Sequence, residues 1–325
     1  MSTRPSGRFL YFFGTGVLDQ VMLSGANFIA GFVMIRYASD VSYGQFVLAQ
    51  STVLLLVSAQ AAWLSGPVSA IAPTKAAAVR AQIIGSLGAS QTRFLRRLAL
   101  ALLVLPVAAY LIGIWSATIS LAVAGTILAG WAALQREFRR GVLLIYSRPQ
   151  AMLGADAVYV AIVLLGIALA VLLRPAAGPL AIAALSVAGW AGATVAHRML
   201  ALEPGWVSGN SGPFWREIRA IGLWSAVGAV IYWLFAQSYN YVLATRLDLT
   251  AVTNVNAARL VVMPVFVFMY GINSLLTPTA ANWLSKFGLP RMLRRLAVLT
   301  VLITVTKVRC FIPMLSPRAL LRHHQ

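Results

Sequence analysis

The sequence predicts an all-α, polytopic membrane protein with about nine transmembrane helices. Of its 325 residues, 60% are hydrophobic and only 10% are charged, whereas soluble domains carry roughly a quarter charged residues. The apolar residues also form long uninterrupted runs, and a bilayer is crossed by a helix of about 20 such residues. Composition and run length together exclude a water-soluble fold.

The individual spans follow from apolar runs that are bounded by charge, proline or glycine. Eight of them lie near residues 11–35, 46–66, 98–115, 117–135, 151–173, 178–199, 221–244 and 256–277, and a shorter ninth lies near 293–306. We expect residues 1–205 to form a first bundle of about six helices and residues 206–306 to form a partial second bundle of about three.

The positive charge predicts the orientation of these spans. The net charge is +19, but Lys and Arg occur in short clusters between apolar runs, so no basic patch for nucleic acid is expected. With the amino terminus inside, 18 of them fall in inner connections and 3 in outer loops, as the positive-inside rule requires. Two long inner connections, residues 73–97 and 213–222, are expected to be solvated basic loops or segments lying on the membrane surface.

The carboxyl-terminal tail, residues 307–325, departs from this pattern. If the ninth span exits to the outside, Lys307, Arg309, Arg318 and Arg322 lie on the side that elsewhere lacks such charge. A truncation or shifted reading frame near Thr306 would explain the tail. A short re-entrant segment that keeps the tail inside is the alternative.

Polar residues within the first span share one helical face. Gln20, Ser24 and Asn27 fall on a stripe about 80° wide, and Asp19 lies at its edge. Small and polar residues are common where membrane helices pack together, so a packing face is one interpretation. A buried carboxyl group additionally needs a charged partner, a proton or water, which favours a functional role for Asp19.

Spans seven and eight carry two further polar faces. Gln237, Asn240 and Tyr241 lie together on span seven beside Trp233 by three-and-four spacing. On span eight, Arg259, Tyr270 and Asn273 fall on one helical face about 80° wide, which Pro264 interrupts. A guanidinium inside an apolar run is suited to bind phosphate or carboxylate, although Arg259 is near enough to the helix end to reach the outer interface. The candidate substrate-binding residues are Gln20, Asn27, Gln237, Asn240, Tyr241, Arg259, Tyr270 and Asn273, with Pro264 as a candidate hinge.

Several short motifs resemble a known transporter family. They are the stretch from Gln20 to Asn27, the sequence Ile-Arg-Tyr-Ala-Ser-Asp-Val-Ser-Tyr-Gly-Gln-Phe at 35–46, the Gly-Pro pair at 66–67, and the segment from Asn256 to Pro264. These motifs are similar to those of polysaccharide flippases in the multidrug/oligosaccharidyl-lipid/polysaccharide (MOP) exporter superfamily. The resemblance covers roughly residues 10–290. It implies two parallel six-helix bundles, of which this chain has about nine helices.

The resemblance also implies a function. A flippase of this family moves an undecaprenyl-pyrophosphate-linked glycan across the bacterial cytoplasmic membrane by alternating access, driven by an ion gradient. Arg259 would then meet the pyrophosphate or an acidic sugar, and Asp19 would carry the coupling proton. The implied partners are the lipid-linked glycan, the bilayer and other membrane proteins of polysaccharide assembly, with no cofactor and no metal.

Other functions remain open at this level. A drug or cation antiporter of the same superfamily would use Asp19 with Trp233. A membrane-embedded glycosyltransferase, ligase or polymerase would handle the same lipid-linked substrate. However, the seven Asp and Glu residues form no spacing typical of acid–base catalysis, so a non-enzyme is predicted. An inactive remnant is the remaining alternative.

Overall fold

The structure is a computed structural model, and it describes residues 7–173, 176–201 and 212–260, together with residues 288, 293 and 294. Every regular element in these residues is helical, which confirms the predicted all-α class. The α-helices are α1 (Gly7–Tyr37), α2 (Asp40–Gln60), α3 (Gly66–Ile71), α4 (Ala77–Leu111), α5 (Ala117–Ile145), α6 (Pro149–Leu172), α7 (Ala177–Ala201) and α8 (Gly212–Arg246). A π-helical turn, Ala61–Ser65, joins α2 to α3, and a 3-10 turn, Ala72–Thr74, follows α3.

Six of these helical segments are long and apolar enough to cross a bilayer. They comprise α1 from Gly14, the continuous stretch Asp40–Ile71, α4, α5, α6 and α7, and α8 adds a seventh span if its two bent parts are counted as one. The chain is therefore a multi-pass helical membrane protein, as the apolar runs predicted. The eighth and ninth predicted spans, at 256–277 and 293–306, lie mostly outside the described residues.

Two helices extend much further than their predicted spans. The predicted loop over 73–97 is wrong, because α4 begins at Ala77 and runs on to Leu111 without interruption. Likewise, α5 ends at Ile145 rather than near residue 135. A helix of 35 residues is about 52 Å long at 1.5 Å per residue, whereas the hydrocarbon core is about 30 Å thick. Hydropathy marks where the hydrocarbon ends, but backbone hydrogen bonding continues beyond that point.

The second long connection forms the start of α8. Residues 214–220 are helical and are bent by 48° from residues 222–246. Gly222 lies just after the bend and touches α2 through the π-helical turn, because a Cβ atom there would lie closer than 3 Å to the backbone carbonyl oxygen of Trp63. Only glycine lets the two helices approach this closely without displacement.

The chain divides into two compact units, Met1–Met263 and Pro264–Gln325. The first unit contains α1 to α8 and the helical residues 249–260, and its two largest buried apolar clusters hold the helices together. One lies at the helix ends next to the Lys- and Arg-rich connections, which we call the basic ends, and it includes Leu64, Ile83, Leu143 and Ile218. The other joins the opposite ends and includes Met34, Phe46, Ile167, Leu185 and Val252. The predicted domain boundaries near 205 and 306 remain predictions.

Candidate functional site: two buried polar clusters and a cavity

The first polar cluster connects α2, α8 and the helical residues 249–260. We call Ser51, Gln237, Asn240, Asn256 and Arg259 the amide network. Gln237 is its centre, since its Oε1 accepts hydrogen bonds from the Ser51 hydroxyl at 3.5 Å, the Asn240 amide at 3.2 Å and the Arg259 guanidinium at 3.0 Å. Asn256 Nδ2 donates to Asn240 Oδ1 at 2.6 Å. Asn240 is fully buried, so the network ties three helices together inside the apolar bundle.

Aromatic residues extend the amide network along α2. Trp233 Nε1 donates to the carbonyl oxygen of Ser51 at 2.9 Å, and the Tyr241 hydroxyl lies 2.5 Å from the Thr52 hydroxyl and donates to the carbonyl oxygen of Leu48. The polar face predicted on span seven is thus in contact with α2. The hydroxyls of Ser51 and Thr52 were not singled out from the sequence, because isolated hydroxyl residues are common in apolar helices.

Arg259 is the charged member of the amide network. Its guanidinium also donates to the Tyr239 hydroxyl at 3.0 Å, while the residue itself remains exposed. Two neutral acceptors therefore orient Arg259, and no carboxylate forms an ion pair with it among the described residues. Its positive charge is left available to an anion.

The other predicted binding residues are not part of this network. Asn27 accepts a hydrogen bond from Gln50 Nε2 at 3.4 Å, between α1 and α2. Gln20 is exposed and bonds only its own helix, through Ser24. The candidates Tyr270, Asn273 and the hinge Pro264 lie outside the described residues.

The second polar cluster surrounds Asp19. We call Asp19, Arg136, Glu137, Arg140 and Asp156 the acid–arginine cluster. Arg140 is central: its guanidinium bonds Asp19, approaches Asp156 Oδ2 to 2.7 Å and approaches Glu137 to 3.3 Å. Both aspartates are almost completely buried, at 0% and 1% exposure. The charged partner that a buried carboxyl group at position 19 required is therefore Arg140 on α5.

Arg136 completes the charge of this cluster. Its Nε lies 3.8 Å from Asp156 Oδ1, which is too long for a hydrogen bond, and its guanidinium lies 3.6 Å from the centre of the Tyr159 ring. Three carboxylates thus face two guanidiniums. One oxygen of Asp19 and one of Asp156 accept no hydrogen bond from any described residue. The two guanidiniums therefore leave part of each buried carboxylate without a donor.

The sequence analysis did not identify Arg140 as a site residue, and it did not place Asp19 near Asp156. The apolar run of span four ends at residue 135, so the predicted inner connection that follows it contains Arg136, Arg139 and Arg140. Since α5 continues through these residues, the spacing between 136 and 140 places two guanidiniums on one helical face. That spacing was the signal available, but Asp19 and Arg140 are 121 residues apart.

A cavity of about 890 Å³ lies between α2, α4, α5 and the start of α8. Its wall contains leucines from several helices, the indoles of Trp63 and Trp215, and the amides of Gln60 and Gln91, while Arg216 and Arg219 border it. The π-helical turn supplies Trp63, and such turns are frequent at functional sites. Sequence analysis placed none of these residues in a site.

Within the described residues, no group of three or more His, Cys, Asp or Glu side chains is arranged to hold a metal ion. No protein-family model, curated protein or solved structure matches this chain. The chemistry of the two polar clusters and the cavity is therefore the basis for assigning a function.

Proposed function

We propose that this protein is a membrane transporter that flips or exports lipid-linked polysaccharide precursors across the cytoplasmic membrane. The observation that carries the proposal is Arg259, the charged member of the amide network, whose exposed guanidinium is held by Gln237 and Tyr239 at 3.0 Å. Ionisable residues in membrane spans are costly, and those present mark substrate or ion pathways. The resemblance of residues 20–46 and 256–264 to polysaccharide flippases supports the same substrate class.

The substrate of such a transporter is an anionic amphiphile, a polyprenyl-pyrophosphate carrying a glycan. Arg259 supplies a planar donor fork for the pyrophosphate or an acidic sugar. Asn27, Gln50 and Tyr239 offer neutral polar groups for glycan hydroxyls. The location that follows is a bacterial cytoplasmic membrane with the amino terminus inside.

Coupling to an ion gradient is assigned to Asp19. Among residues 14–25, Asp19 is the only buried residue, so the first half of this span is anchored through its bond to Arg140. The second half packs on α6 through Ala30 and Met34. Protonation of Asp19 would remove its negative charge and weaken the bond to Arg140, which keeps Asp156 as a partner, so the first half of α1 would be held less tightly.

The Arg259 assignment is tested by export of surface polysaccharide in cells that lack the endogenous gene. Arg259→Ala should abolish export, whereas Arg259→Lys should retain part of it because the positive charge remains. Arg246→Ala is the matched control, since Arg246 is also exposed, at the end of α8, and it should export normally. Normal export by Arg259→Ala would exclude Arg259 as the anion site.

A further inference from the structure

The charged side chains of the cavity wall lie toward one end, which we call the polar end, whereas the other end is apolar. Helices α4 and α8 run in the direction opposite to α2. Residues on each helix can therefore be ordered by their distance from the basic end. Arg216 and Arg219 on α8, Gln91 on α4 and Trp63 on α2 lie toward the basic ends of their helices. Leu56, Ala59, Phe94, Leu95 and Ala226 lie deeper and are all apolar.

The polar end coincides with the edge of the hydrocarbon. Counting about 20 residues from Asp40, where α2 begins, reaches residue 60 on α2, and on α4 the predicted span begins at residue 98, after Arg93, Arg96 and Arg97. The same count from Arg246 reaches residue 227 on α8. Arg216 and Arg219 therefore lie beyond the hydrocarbon edge, on the side of the Lys- and Arg-rich connections, where long arginine side chains can reach lipid headgroups.

The arginines at the polar end have free charge. Both are exposed, and neither forms an ion pair within the part of the chain that the structure describes. The nearby carboxylate, Glu217, is engaged by Lys75 at 3.4 Å. Arg216 and Arg219 are three residues apart on one helix, so their side chains are neighbours and are suited to bind one phosphate together.

Gln91 adds an unused acceptor at the same depth. The residue is 8% exposed, and its Nε2 donates to the carbonyl oxygen of Leu134 at 3.4 Å. Gln60 Nε2 donates to the same carbonyl oxygen at 3.0 Å. Gln91 Oε1 is buried without a hydrogen-bond donor among the described residues, although it belongs to the cavity wall. A bound molecule with a hydroxyl group beside its phosphate would supply that donor.

We propose that this cavity is a binding site for an isoprenoid lipid phosphate. Its phosphate binds Arg216 and Arg219, a hydroxyl of the attached group donates to Gln91, and the first part of the isoprenoid chain lies against Leu56, Phe94 and Leu95. The volume of about 890 Å³ is near the upper end of the range for small-molecule pockets, which is more than a free phosphate requires. The choice of an isoprenoid chain rests on the proposed function.

The test measures binding of undecaprenyl phosphate to the purified full-length chain in detergent by native mass spectrometry. The Arg216→Gln/Arg219→Gln double variant should bind at least tenfold more weakly. Ala59→Trp, which places an indole in the apolar end, should also weaken binding. The Arg36→Gln/Arg246→Gln double variant is the matched control, because it removes two exposed charges at the opposite helix ends, and it should bind within twofold of wild type.

Equal binding by the Arg216→Gln/Arg219→Gln variant and wild type would overturn the site. Competition by phosphatidylglycerol as effective as that by undecaprenyl phosphate would overturn the isoprenoid assignment, and full competition by inorganic phosphate would overturn a role for the apolar end. If wild type binds undecaprenyl phosphate but gene deletion leaves lipid-linked glycan unchanged, the transport proposal fails while the site stands. If deletion changes that glycan but the variant binds normally, only the site fails.

Discussion

Replacement of Arg140 is expected to destabilise the protein more than replacement of any neighbouring arginine. Arg140→Gln removes the guanidinium that contacts Asp19, Asp156 and Glu137 and leaves two aspartates of at most 1% exposure without their main partner. Removing one member of a buried ion pair costs about 3–5 kcal/mol. We expect a loss in the free energy of unfolding toward the upper end of that range, because two buried carboxylates are affected.

Arg139→Gln is the matched control for this measurement. Arg139 is the adjacent residue on α5, and its NH1 donates to the carbonyl oxygen of Ala193 at 2.8 Å. Within the part of the chain that the structure describes, Arg139 forms no ion pair. Its loss should cost about 1–3 kcal/mol, the cost typical of a hydrogen bond to a charged group. The free energies are compared by unfolding purified protein in mixed micelles of mild detergent and sodium dodecyl sulfate.

The Asp19 side of the same pair gives an internal check. Asp19→Asn should cost about 1–2 kcal/mol, less than Arg140→Gln, because Arg140 retains Asp156 and Glu137 as partners. The double variant should be more stable than the sum of the single effects predicts, by about 0.5–3 kcal/mol. Equal losses for Arg140→Gln and Arg139→Gln would refute the reasoning, since they would mean that Asp19 and Asp156 do not depend on Arg140.

Three further predictions concern the amide network, a close helix contact and the orientation. Asn240→Ala should destabilise the protein by about 1–3 kcal/mol because it removes the buried hydrogen bonds that Asn240 makes with Ser51, Gln237 and Asn256. Asn254→Ala, at an exposed position of residues 249–260, should have little effect, and equal unfolding energies for the two variants would contradict the network. Gly222→Ala should lower the free energy of unfolding by about 1–3 kcal/mol through overpacking against Trp63. Gly228→Ala, where a Cβ meets no atom within 4 Å, should be neutral or slightly stabilising, and equal effects in the same unfolding assay would contradict the close contact at Gly222. The orientation is tested with single cysteines in a Cys310→Ser background and a membrane-impermeant maleimide. Arg36→Cys and Arg246→Cys should react in intact cells, whereas Arg93→Cys and Arg219→Cys should react only after the cells are permeabilised. The reverse pattern would contradict the predicted orientation.

The multi-pass fold was predictable from the sequence because hydropathy reports directly on the bilayer. Seven predicted spans have a helical counterpart, and the polar face of Gln237, Asn240 and Tyr241 follows from helical spacing alone. The helix ends were not predictable, since α4 and α5 continue beyond the hydrocarbon through Arg93 and Arg140. An apolar run shows only the part of a helix that lies in the hydrocarbon, so the charged residues at the ends of these helices read as loop residues.

The pairing of distant residues was the larger gap. Asp19 and Arg140, or Ser51 and Asn240, are brought together only by the packing of helices that are far apart in the chain. A single sequence contains no signal for which helices become neighbours. The cavity was missed for the same reason, because its wall combines a few residues from each of several helices that are distant in the chain.

Transport of a lipid-linked glycan is tested most directly by the distribution of that glycan between the two leaflets after deletion of the gene. The glycan can be labelled from outside in intact cells and from both sides in opened membrane vesicles. We predict that deletion causes lipid-linked glycan to accumulate on the cytoplasmic face and that the wild-type gene, but not Arg259→Ala, restores its appearance outside. An unchanged amount and distribution of lipid-linked glycan in the deletion strain would contradict a role in its transport.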